Sequence, residues 1–329
     1  MKAIFVREYG GPDVMAVEDT SVPTPKEGQV LVRIEAAGVN PVDTYVREGK
    51  HASAPPLPFI PGKDAAGTVE ETGQGADKFK KGARVYLAGS VTGTYAEYAV
   101  CSEDQVWELP ENVSFDAGAG VFVPCATAYR ALMQKAGAKE GEKVLIHGAS
   151  GAVGIAAIQW AKHAGLEIYA TAGSEKGQEL IRDQGVEHVY DHSSEPEFEY
   201  LDRIREDSGG VDVILEMLAN KNLQEDFRTL SMFGRIIVIG SRGTLEFDPR
   251  LVMGTEATIR GMALFNAPPE PMEEIHEAIG NGLRKGYLKP VIGKAFALED
   301  APQAHREVIE NRAYGKIVLH PRPEGTTSG

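Results

Sequence analysis

The sequence predicts an α/β protein in which a doubly wound parallel sheet is joined to a β-rich region. From Lys143 onward, short apolar strands alternate with helices, which is typical of a parallel sheet. The first hundred residues instead contain closely spaced short strands, which is typical of a compact β barrel or sandwich. A chain of 329 residues has room for about two such domains.

The β-rich region is defined by short, partly alternating apolar runs. They predict strands at residues 30–36, 65–71, 83–87 and 93–100. The prolines between these runs predict an irregular stretch without helix, because proline lacks the N–H that a helix interior needs. These prolines are Pro41, Pro55, Pro56, Pro58 and Pro61.

The second region follows an Ala-rich segment, 117–134, which predicts a helix. Strands are then predicted at 144–147, 167–171, 188–190, 211–215 and 235–239. Helices are predicted from Val153 to Ala164 and at 177–184, 196–207 and 222–232. Towards the end of the chain, helices at 272–282 and 301–311 precede a strand at 316–320, and the tail after Pro321 is expected to be frayed.

Composition excludes several classes of protein. The net charge of −14 opposes general binding to nucleic acid or to anionic membranes. Two cysteines rule out a disulfide scaffold and a four-cysteine zinc site. The sequence has no run of 18 apolar residues and no secretory signal, so we expect no membrane span and a cytoplasmic location.

A glycine-rich turn lies between an apolar strand and a helix. It reads Gly148-Ala149-Ser150-Gly151-Ala152-Val153-Gly154, so its first glycine is displaced from the common Gly-x-Gly-x-x-Gly spacing. Backbone N–H groups and the helix dipole at such a turn attract phosphate. Although an ordinary tight turn is the alternative, the strand, turn and helix together predict a dinucleotide site.

The residues after the second strand bear on the choice of nucleotide. An acidic residue there would bind a ribose 2′-OH and repel a 2′-phosphate. Here the strand leads into Gly173, Ser174 and Lys176, and a hydroxyl with an ammonium suits a 2′-phosphate. Glu175 opposes this assignment and is interpreted as pointing to water. We therefore predict that NADPH is preferred over NADH.

Metal and nucleophile chemistry are not indicated. Asn40, Lys63 and Val123 stand where zinc alcohol dehydrogenases carry their catalytic ligands, so we predict no metal. Cys125 is interpreted as a small buried apolar residue. Ser150 lacks the Gly-x-Ser-x-Gly context of a nucleophile.

Five of the eight histidines bear on catalytic or cofactor roles. His147 is interpreted as a satisfied packing residue, and His163 and His276 as solvated helix residues. For His192, a surface position and a contact with the cofactor are equally compatible with the sequence. For His51, which lies in the proline-rich stretch, a packing role and a catalytic role both stay open.

Several segments resemble one family closely. They include Gly38–Tyr45, Gly93–Tyr98, Thr127–Leu132, Val144–Gly154, Glu216–Asn220, Gly234–Gly243 and Leu288–Gly293. Through them the chain resembles the zinc-independent, zeta-crystallin-like quinone oxidoreductases of the medium-chain dehydrogenase/reductase superfamily, from Lys2 to about His320. Cys125 departs from an aromatic residue common in that family, and Ala152 from a glycine.

The resemblance implies a domain plan. It is a chaperonin-10-like β-barrel catalytic domain at 1–123, a Rossmann NADPH-binding domain at 124–262, and a return segment at 263–329 that completes the first domain. The cofactor is expected between the domains. A homodimer or homotetramer is expected as well.

The resemblance also implies the cofactor contacts. Carried over position by position, the NADPH contacts fall on Tyr45, Thr127, Gly151, Ala152, Val153, Gly154, Gly173, Ser174, Lys176, His192, Asn222, Ile239, Gly240, Ser241, Arg242, Met262, Ala263 and Leu264.

The implied chemistry is hydride transfer from NADPH to a quinone or an α,β-unsaturated carbonyl. Asn40 and Tyr45 are the candidate catalytic residues, Asn40 to orient substrate or nicotinamide. Tyr45 would donate to the developing oxyanion or would only form an aromatic wall, and both stay open. The alternatives are a 2-enoyl thioester reductase and a non-catalytic NADPH-binding protein.

Overall fold

The computed structural model describes residues 1–52, 54–310 and 314–322. Two compact units emerge from the contacts within the chain. Unit 1 comprises Met1–Val123 with Pro290–Gly329, and unit 2 comprises Pro124–Lys289. The predicted tail lies outside the described residues from position 323, as does position 311 of the predicted last helix.

Strands and helices are numbered in chain order. The strands are β1 Lys2–Val6, β2 Met15–Asp19, β3 Gln29–Val39, β4 Asp64–Thr72, β5 Arg84–Ala88, β6 Tyr98–Ser102, β7 Val106–Glu108, β8 Lys143–Ile146, β9 Glu167–Ala172, β10 His188–Asp191, β11 Val211–Glu216, β12 Leu230–Val238, β13 Thr258–Gly261, β14 Ile292–Ala297 and β15 Lys316–His320. The α-helices are α1 Pro41–Arg47, α2 Phe115–Ala119, α3 Phe122–Tyr129, α4 Ala152–His163, α5 Glu175–Asp183, α6 Glu199–Ser208, α7 Ala219–Asn222, α8 Arg250–Thr255, α9 Pro269–Lys285 and α10 Ala301–Glu310.

Unit 1 is built around the long strand β3. Antiparallel pairing joins it to β4, β6 and β15, and the sheet continues from β4 through β5 to β7 and from β15 to β14. Val30, Val32 and Ile34 on β3 are fully buried, as the alternation of the sequence predicts. The closing strand β15 is therefore an integral part of the sheet that begins near the start of the chain.

Unit 2 contains a parallel sheet in the order β10-β9-β8-β11-β12-β13. The predicted α/β alternation is confirmed. The strand order reverses direction between β8 and β11, and ligands of such sheets bind beyond the carboxyl ends of the strands at this point. The predicted phosphate turn, 148–154, follows β8 directly.

Helix α1 corrects the prediction of no helix around Pro41. Pro41 occupies the first turn, where its missing N–H has no intrahelical partner to lose. The Asn40 backbone N–H donates to Asp43 Oδ2 over 2.9 Å, which completes a capping box. The predicted helix at 117–134 is also divided, into α2, α3 and a π-helical turn at Arg130–Lys135.

The predicted helix 222–232 is wrong over most of its length: α7 ends at Asn222, a 3-10 helix spans Glu225–Arg228, and β12 begins at Leu230. Leu230 pairs with Val211, and pairing resumes only when Arg235 meets Val213. The intervening residues therefore bulge from the ladder, with Phe233 at a φ of 64°. From the sequence alone, a helix that continues to residue 232 cannot be distinguished from a helical segment that ends before a bulged strand.

The predicted return segment needs a correction at its start. Residues 263–289 cluster with unit 2, and the return begins at Pro290. Helix α9 explains the difference because its first turns bond to unit 2: Tyr129 donates to Glu274 over 2.8 Å, and Gln134 donates to the Pro271 carbonyl over 2.9 Å.

Candidate functional site

The phosphate turn has the geometry of an anion site. Gly148 adopts a φ of +56°, which favours glycine, and Gly151 is the residue that caps α4. The first turn of α4 contains Ala152, Val153 and Gly154. The backbone N–H groups of a first helical turn have no acceptor within the helix and point out of its amino-terminal end. The twelve residues of α4 also contribute a dipole whose positive end lies at this turn.

Gly154 is required for the helix to approach the strand. A Cβ built there would lie 2.4 Å from the Ala149 Cα atom, so any side chain would push α4 away from the turn. At Gly151 a Cβ would meet only the Gly148 carbonyl oxygen, at 3.6 Å. The two glycines thus serve different purposes: Gly154 permits packing, and Gly151 lies at the open end of the turn.

Thr171, at the end of β9, holds two neighbouring loops together. Its carbonyl accepts from the Ala149 N–H over 2.8 Å, and its Oγ1 accepts from the Gly148 N–H over 3.2 Å. The same Oγ1 lies 3.0 Å from His192 Nδ1. Sequence reasoning missed Thr171, and its place at the end of a buried strand is the only signal of its role.

The predicted 2′-phosphate residues follow β9. Gly173 leads to Ser174, which caps α5 and accepts from the Gly177 N–H over 3.2 Å. Lys176 lies exposed in the first turn of α5. An ammonium group at the start of a helix is well placed to meet a phosphate.

Further predicted residues lie after β11, β12 and β13. Asn222 ends α7, and Asn220 Oδ1, from the same helix, accepts from the Arg242 N–H over 2.8 Å. Ile239, Gly240, Ser241 and Arg242 follow β12, and Met262, Ala263 and Leu264 follow β13. The Met262 N–H donates to the Val238 carbonyl over 2.9 Å.

The fold of unit 2 gathers these segments at one edge. Each follows the carboxyl end of a parallel strand, and those ends share an edge of the sheet. Thr127 is not among them; it lies buried in α3. Asn40 and Tyr45 lie in unit 1, at the start of α1 and within it.

A buried triad of ionisable residues lies at the same edge of unit 2. His147, Glu216 and Asp226 each offer an atom within 4.8 Å of the others, and their side chains are at most 3% exposed. His147 Nε2 lies 2.9 Å from Asp226 Oδ1. The prediction that His147 is a satisfied, packed residue is confirmed, whereas Glu216 and Asp226 were missed.

The triad shifts the pKa values of its members. Burial lowers the pKa of His147, but the carboxylates of Asp226 and Glu216 outweigh it and raise that pKa to about 9. Burial raises the pKa of Glu216, while His147 opposes this shift. The triad therefore places a charged His147 imidazole beside the Glu216 carboxyl group, which resists ionisation.

In unit 1, two of the three positions that correspond to zinc ligands, Asn40 and Val123, belong to a hydrogen-bond network centred on Asp64. Lys316 Nζ donates to Asn40 Oδ1 over 2.6 Å and to Asp64 Oδ2 over 2.7 Å. Asn40 Nδ2 donates to Asp64 Oδ2 over 3.0 Å, and the Val123 N–H donates to Asp64 Oδ1 over 3.1 Å. Zinc prefers thiolate and imidazole ligands, and here an ammonium already neutralises the carboxylate, so these residues do not fit the metal.

A second buried chain of hydrogen bonds leads to Asp43. Arg47 Nη1 donates to His305 Nδ1 over 3.0 Å, which leaves the proton of the neutral ring on Nε2. Nε2 then donates to the Tyr95 hydroxyl over 3.1 Å, and this hydroxyl donates to Asp43 Oδ2 over 3.3 Å. Burial, aided by Arg47, lowers the pKa of His305 to about 3, and burial raises that of Asp43 to about 6.

Asp43 also lines a cavity of unit 1 of about 410 Å³. Apolar walls come from Phe5, Phe59 and Pro58, and polar groups come from Asp43, Lys63 and Thr92. A few polar groups in an apolar cavity of this volume are typical of small-molecule sites. The proline-rich stretch predicted as irregular supplies part of this wall.

Burial tests the interpretations of His276, His163 and Cys125. His276 is 3% exposed, so its interpretation as a solvated residue is wrong; its face of α9 also carries the buried Ile275 and Ile279. His163 is exposed and stacks on Tyr287 with ring centroids 3.7 Å apart. Cys125 is buried, as predicted.

None of the helices among the described residues is long and apolar enough to cross a membrane. Two family models match the chain. Residues 26–111 match the alcohol dehydrogenase GroES-like domain, and residues 152–281 match the zinc-binding dehydrogenase family. The GroES-like match confirms the predicted chaperonin-10-like fold of the first region.

Similar proteins cover almost the whole chain. A human quinone oxidoreductase is 46% identical over 97% of this chain and 97% of its own. The structure of an Escherichia coli quinone oxidoreductase complexed with NADPH has a TM-score of 0.87 and 27% identity, over 98% of this chain and 100% of its own. The CurK enoyl reductase structure has a TM-score of 0.86 and 26% identity, over 97% of this chain and 98% of its own.

Proposed function

Because the chain belongs to the quinone oxidoreductase family of the medium-chain dehydrogenase/reductase superfamily, we propose that it reduces quinones or α,β-unsaturated carbonyls with NADPH. The 46% identity to the human quinone oxidoreductase over 97% of both chains carries this proposal. It is an oxidoreductase in which the cofactor supplies a hydride, and the protein binds and orients the reactants.

The carboxyl edge of the unit 2 sheet fits a dinucleotide. Residues 151–154 would hold the pyrophosphate on backbone N–H groups, since the turn keeps the helix end open. Ser174 and Lys176 would hold the 2′-phosphate, with His192 beside them. The segments at 239–242 and 262–264, with Asn222, would line the remainder of the cofactor.

The cavity of unit 1 is our proposed substrate site. Its apolar walls suit a flat quinone ring, and Asp43, Lys63 and Thr92 provide polar contacts for the carbonyl oxygens. Tyr45 remains the proposed proton donor or aromatic wall. Both ends of the Asn40 amide are hydrogen-bonded to Asp64 and Lys316, which favours a positioning role for Asn40 over direct contact with substrate.

We also propose that the reaction needs no zinc. The support is chemical: Lys316 places a positive charge between Asn40 and Asp64, where a metal would require vacant donor atoms. A protonated lysine in that position repels a divalent cation. Asn40 and Asp64 are both less than 4% exposed, so solvent does not compete for their bonds.

Substrate assays test the proposal directly. Purified protein should oxidise NADPH with 1,4-benzoquinone or 9,10-phenanthrenequinone, followed by loss of NADPH absorbance. Crotonyl-CoA tests the second candidate, an enoyl thioester reductase, which the likeness to the CurK enoyl reductase favours. NADPH binding without oxidation by any of the three acceptors would instead support a non-catalytic cofactor-binding protein.

Lys176→Ala should weaken NADPH binding by about tenfold or more, because a charge-assisted contact to the 2′-phosphate is lost. NADH binding should stay within about twofold, since NADH lacks that phosphate. Arg182→Ala is the matched control, because it removes a cation from the last turn of the same helix. Equal losses for both cofactors would contradict the assigned role of Lys176.

A cytoplasmic location and a homodimer or homotetramer stay predictions of the family resemblance. Light scattering of the purified protein would measure the oligomeric state. We propose the domain roles on the same basis, with unit 1 as the catalytic part and unit 2 as the NADPH-binding part.

A further inference from the structure

Glu216 bonds to two turns that we assign to the cofactor. Its backbone carbonyl accepts from the Ile239 N–H over 2.8 Å and from the Gly240 N–H over 3.3 Å. Its carboxyl Oε1 accepts from the Leu218 N–H and from Asn222 Nδ2, the latter over 3.2 Å. One residue at the end of β11 therefore holds the turn 217–222 and the turn 239–242.

The other members of the triad extend this connection. His147 directly precedes the phosphate turn, and its N–H donates to the Leu215 carbonyl over 3.3 Å. Asp226 lies in the short 3-10 helix Glu225–Arg228 that follows α7. Three segments of the proposed cofactor site thus meet at three buried side chains.

The hydrogen bonding of the triad is incomplete without one more proton. Glu216 Oε2 and Asp226 Oδ2 are both buried and have no hydrogen-bond partner, although the two residues lie within 4.8 Å of one another. His147 supplies one positive charge against two carboxyl groups. A proton shared by the two carboxyl groups would supply a hydrogen-bond donor to this cluster and make it neutral.

We propose that Glu216 is a positioning residue for NADPH, which holds the turns 217–222 and 239–242 through a proton shared with Asp226. The proposal rests on the proposed NADPH-binding function. Loss of this proton leaves an unbalanced negative charge beside the turns, and this charge weakens binding of the anionic cofactor. NADPH affinity is therefore sensitive to pH on the alkaline side.

The surroundings of Glu216 support this behaviour. The titratable groups that face it are His147 at the end of β8, Asp226 from the 3-10 helix and Tyr200 from α6. Burial and the two carboxylates raise the pKa of Tyr200, so its phenol stays neutral. Burial raises the pKa of Glu216 to about 7, which places the loss of the proton near neutrality.

Equilibrium titration of NADPH at about pH 6, 7, 8 and 9 tests the proposal. Glu216→Gln is the informative variant, because its amide has the shape of the protonated acid and cannot ionise. We expect the variant to bind NADPH within about threefold of wild type at the acid end, where wild type holds its proton. The ratio of wild-type to Glu216→Gln dissociation constants should then rise by about tenfold towards the alkaline end.

Taking this ratio cancels titration of the cofactor's own phosphate. Glu225→Gln is the matched control, since it removes a partly exposed carboxylate from the same 3-10 helix and should keep the wild-type dependence. A constant ratio across the range, or a large loss for Glu216→Gln at the acid end, would overturn the proposal. Wild type that binds no NADPH would overturn the proposed function as well, which separates the two failures.

Infrared difference spectroscopy provides a measurement independent of affinity. Wild type minus Glu216→Gln should show the C=O stretch of a protonated carboxylic acid at about pH 6, and this band should disappear as the pH rises. Metal analysis tests the alternative that His147, Glu216 and Asp226 bind a metal ion in place of the shared proton. One equivalent of a divalent cation that copurifies with wild type but not with Glu216→Gln would overturn the shared proton.

Discussion

The two units each contain a buried polar cluster, and the clusters differ in how their charge is balanced. In unit 1, one ammonium, one carboxylate and one amide meet, and the bonds of Lys316 and Asn40 converge on Asp64. In unit 2, one imidazole faces two carboxyl groups, and two carboxyl oxygens lack a partner. The first cluster is balanced by its own residues, whereas the second depends on an additional proton.

The difference shows that burial of polar groups has two different effects, depending on whether their charges are balanced. A buried network whose polar groups are all hydrogen-bonded makes the surrounding structure rigid. An unbalanced one titrates near neutrality, because burial disfavours its excess charge. The network of Lys316, Asp64 and Asn40 in unit 1 thus pairs its own charges, whereas burial raises the pKa of Glu216 in the unit 2 triad to about 7.

The largest effect should come from unbalancing the unit 1 cluster. Lys316→Met leaves the buried Asp64 carboxylate without a cation, which should lower the free energy of unfolding by about 3–5 kcal/mol. Chemical denaturation measures the change. Lys81→Met, which breaks the exposed pair with Glu70, should cost less than about 1 kcal/mol, and equal losses would contradict the comparison.

A smaller effect is expected from the pH dependence of the unit 2 cluster. Because the pKa of His147 is raised to about 9, the folded protein binds more protons than the unfolded chain between about pH 6.5 and pH 9. The free energy of unfolding should therefore fall as pH rises through this window. Glu216, whose pKa is also raised, adds to the fall at lower pH.

His147→Gln should flatten this fall by on the order of 1 kcal/mol, because glutamine does not titrate. Denaturation at about pH 7 and about pH 9 measures the slope. His163→Gln on the exposed end of α4 is the control and should keep the wild-type slope. An unchanged slope in His147→Gln would remove the contrast between the two clusters.

The smallest effect above about pH 7 should come from the buried His305 of unit 1. The pKa of His305 is lowered to about 3, so the ring is neutral in the folded protein and in the unfolded chain above about pH 7. His305→Gln should leave the slope in that range unchanged. Below it, wild type should lose stability as pH falls towards 3, because the unfolded chain then binds the extra proton. A changed alkaline slope would show that His305 titrates in the fold.

Local patterns in the sequence were sufficient to predict the parallel sheet and the glycine-rich turn between β8 and α4. The alternation from Lys143 and the glycine spacing at 148–154 each depend on residues close together in the chain. The polar clusters were not predictable in this way. Asp64 and Lys316 are 252 positions apart, and their contact depends on the pairing of β15 with β3 and β3 with β4.

Errors in the prediction had the same origin. The pattern of 222–232 is helical by local preference, but pairing of Leu230 with Val211 draws its end into the sheet. His276 was judged by its polar character, although the apolar face of α9 buries it. Where tertiary contacts decide the environment of a residue, its type alone is a poor guide.

The place of Lys316 in the last strand has a consequence for biosynthesis. The ribosome synthesises Asn40 and Asp64 long before Lys316, so until then the Asp64 carboxylate lacks its Lys316 partner. All residues of unit 2 are synthesised before Lys316, because this unit ends at Lys289. Strand β15 therefore joins the unit 1 sheet late in synthesis. A chain that ended before β15 would lack both this strand and the contact of Lys316 with Asp64.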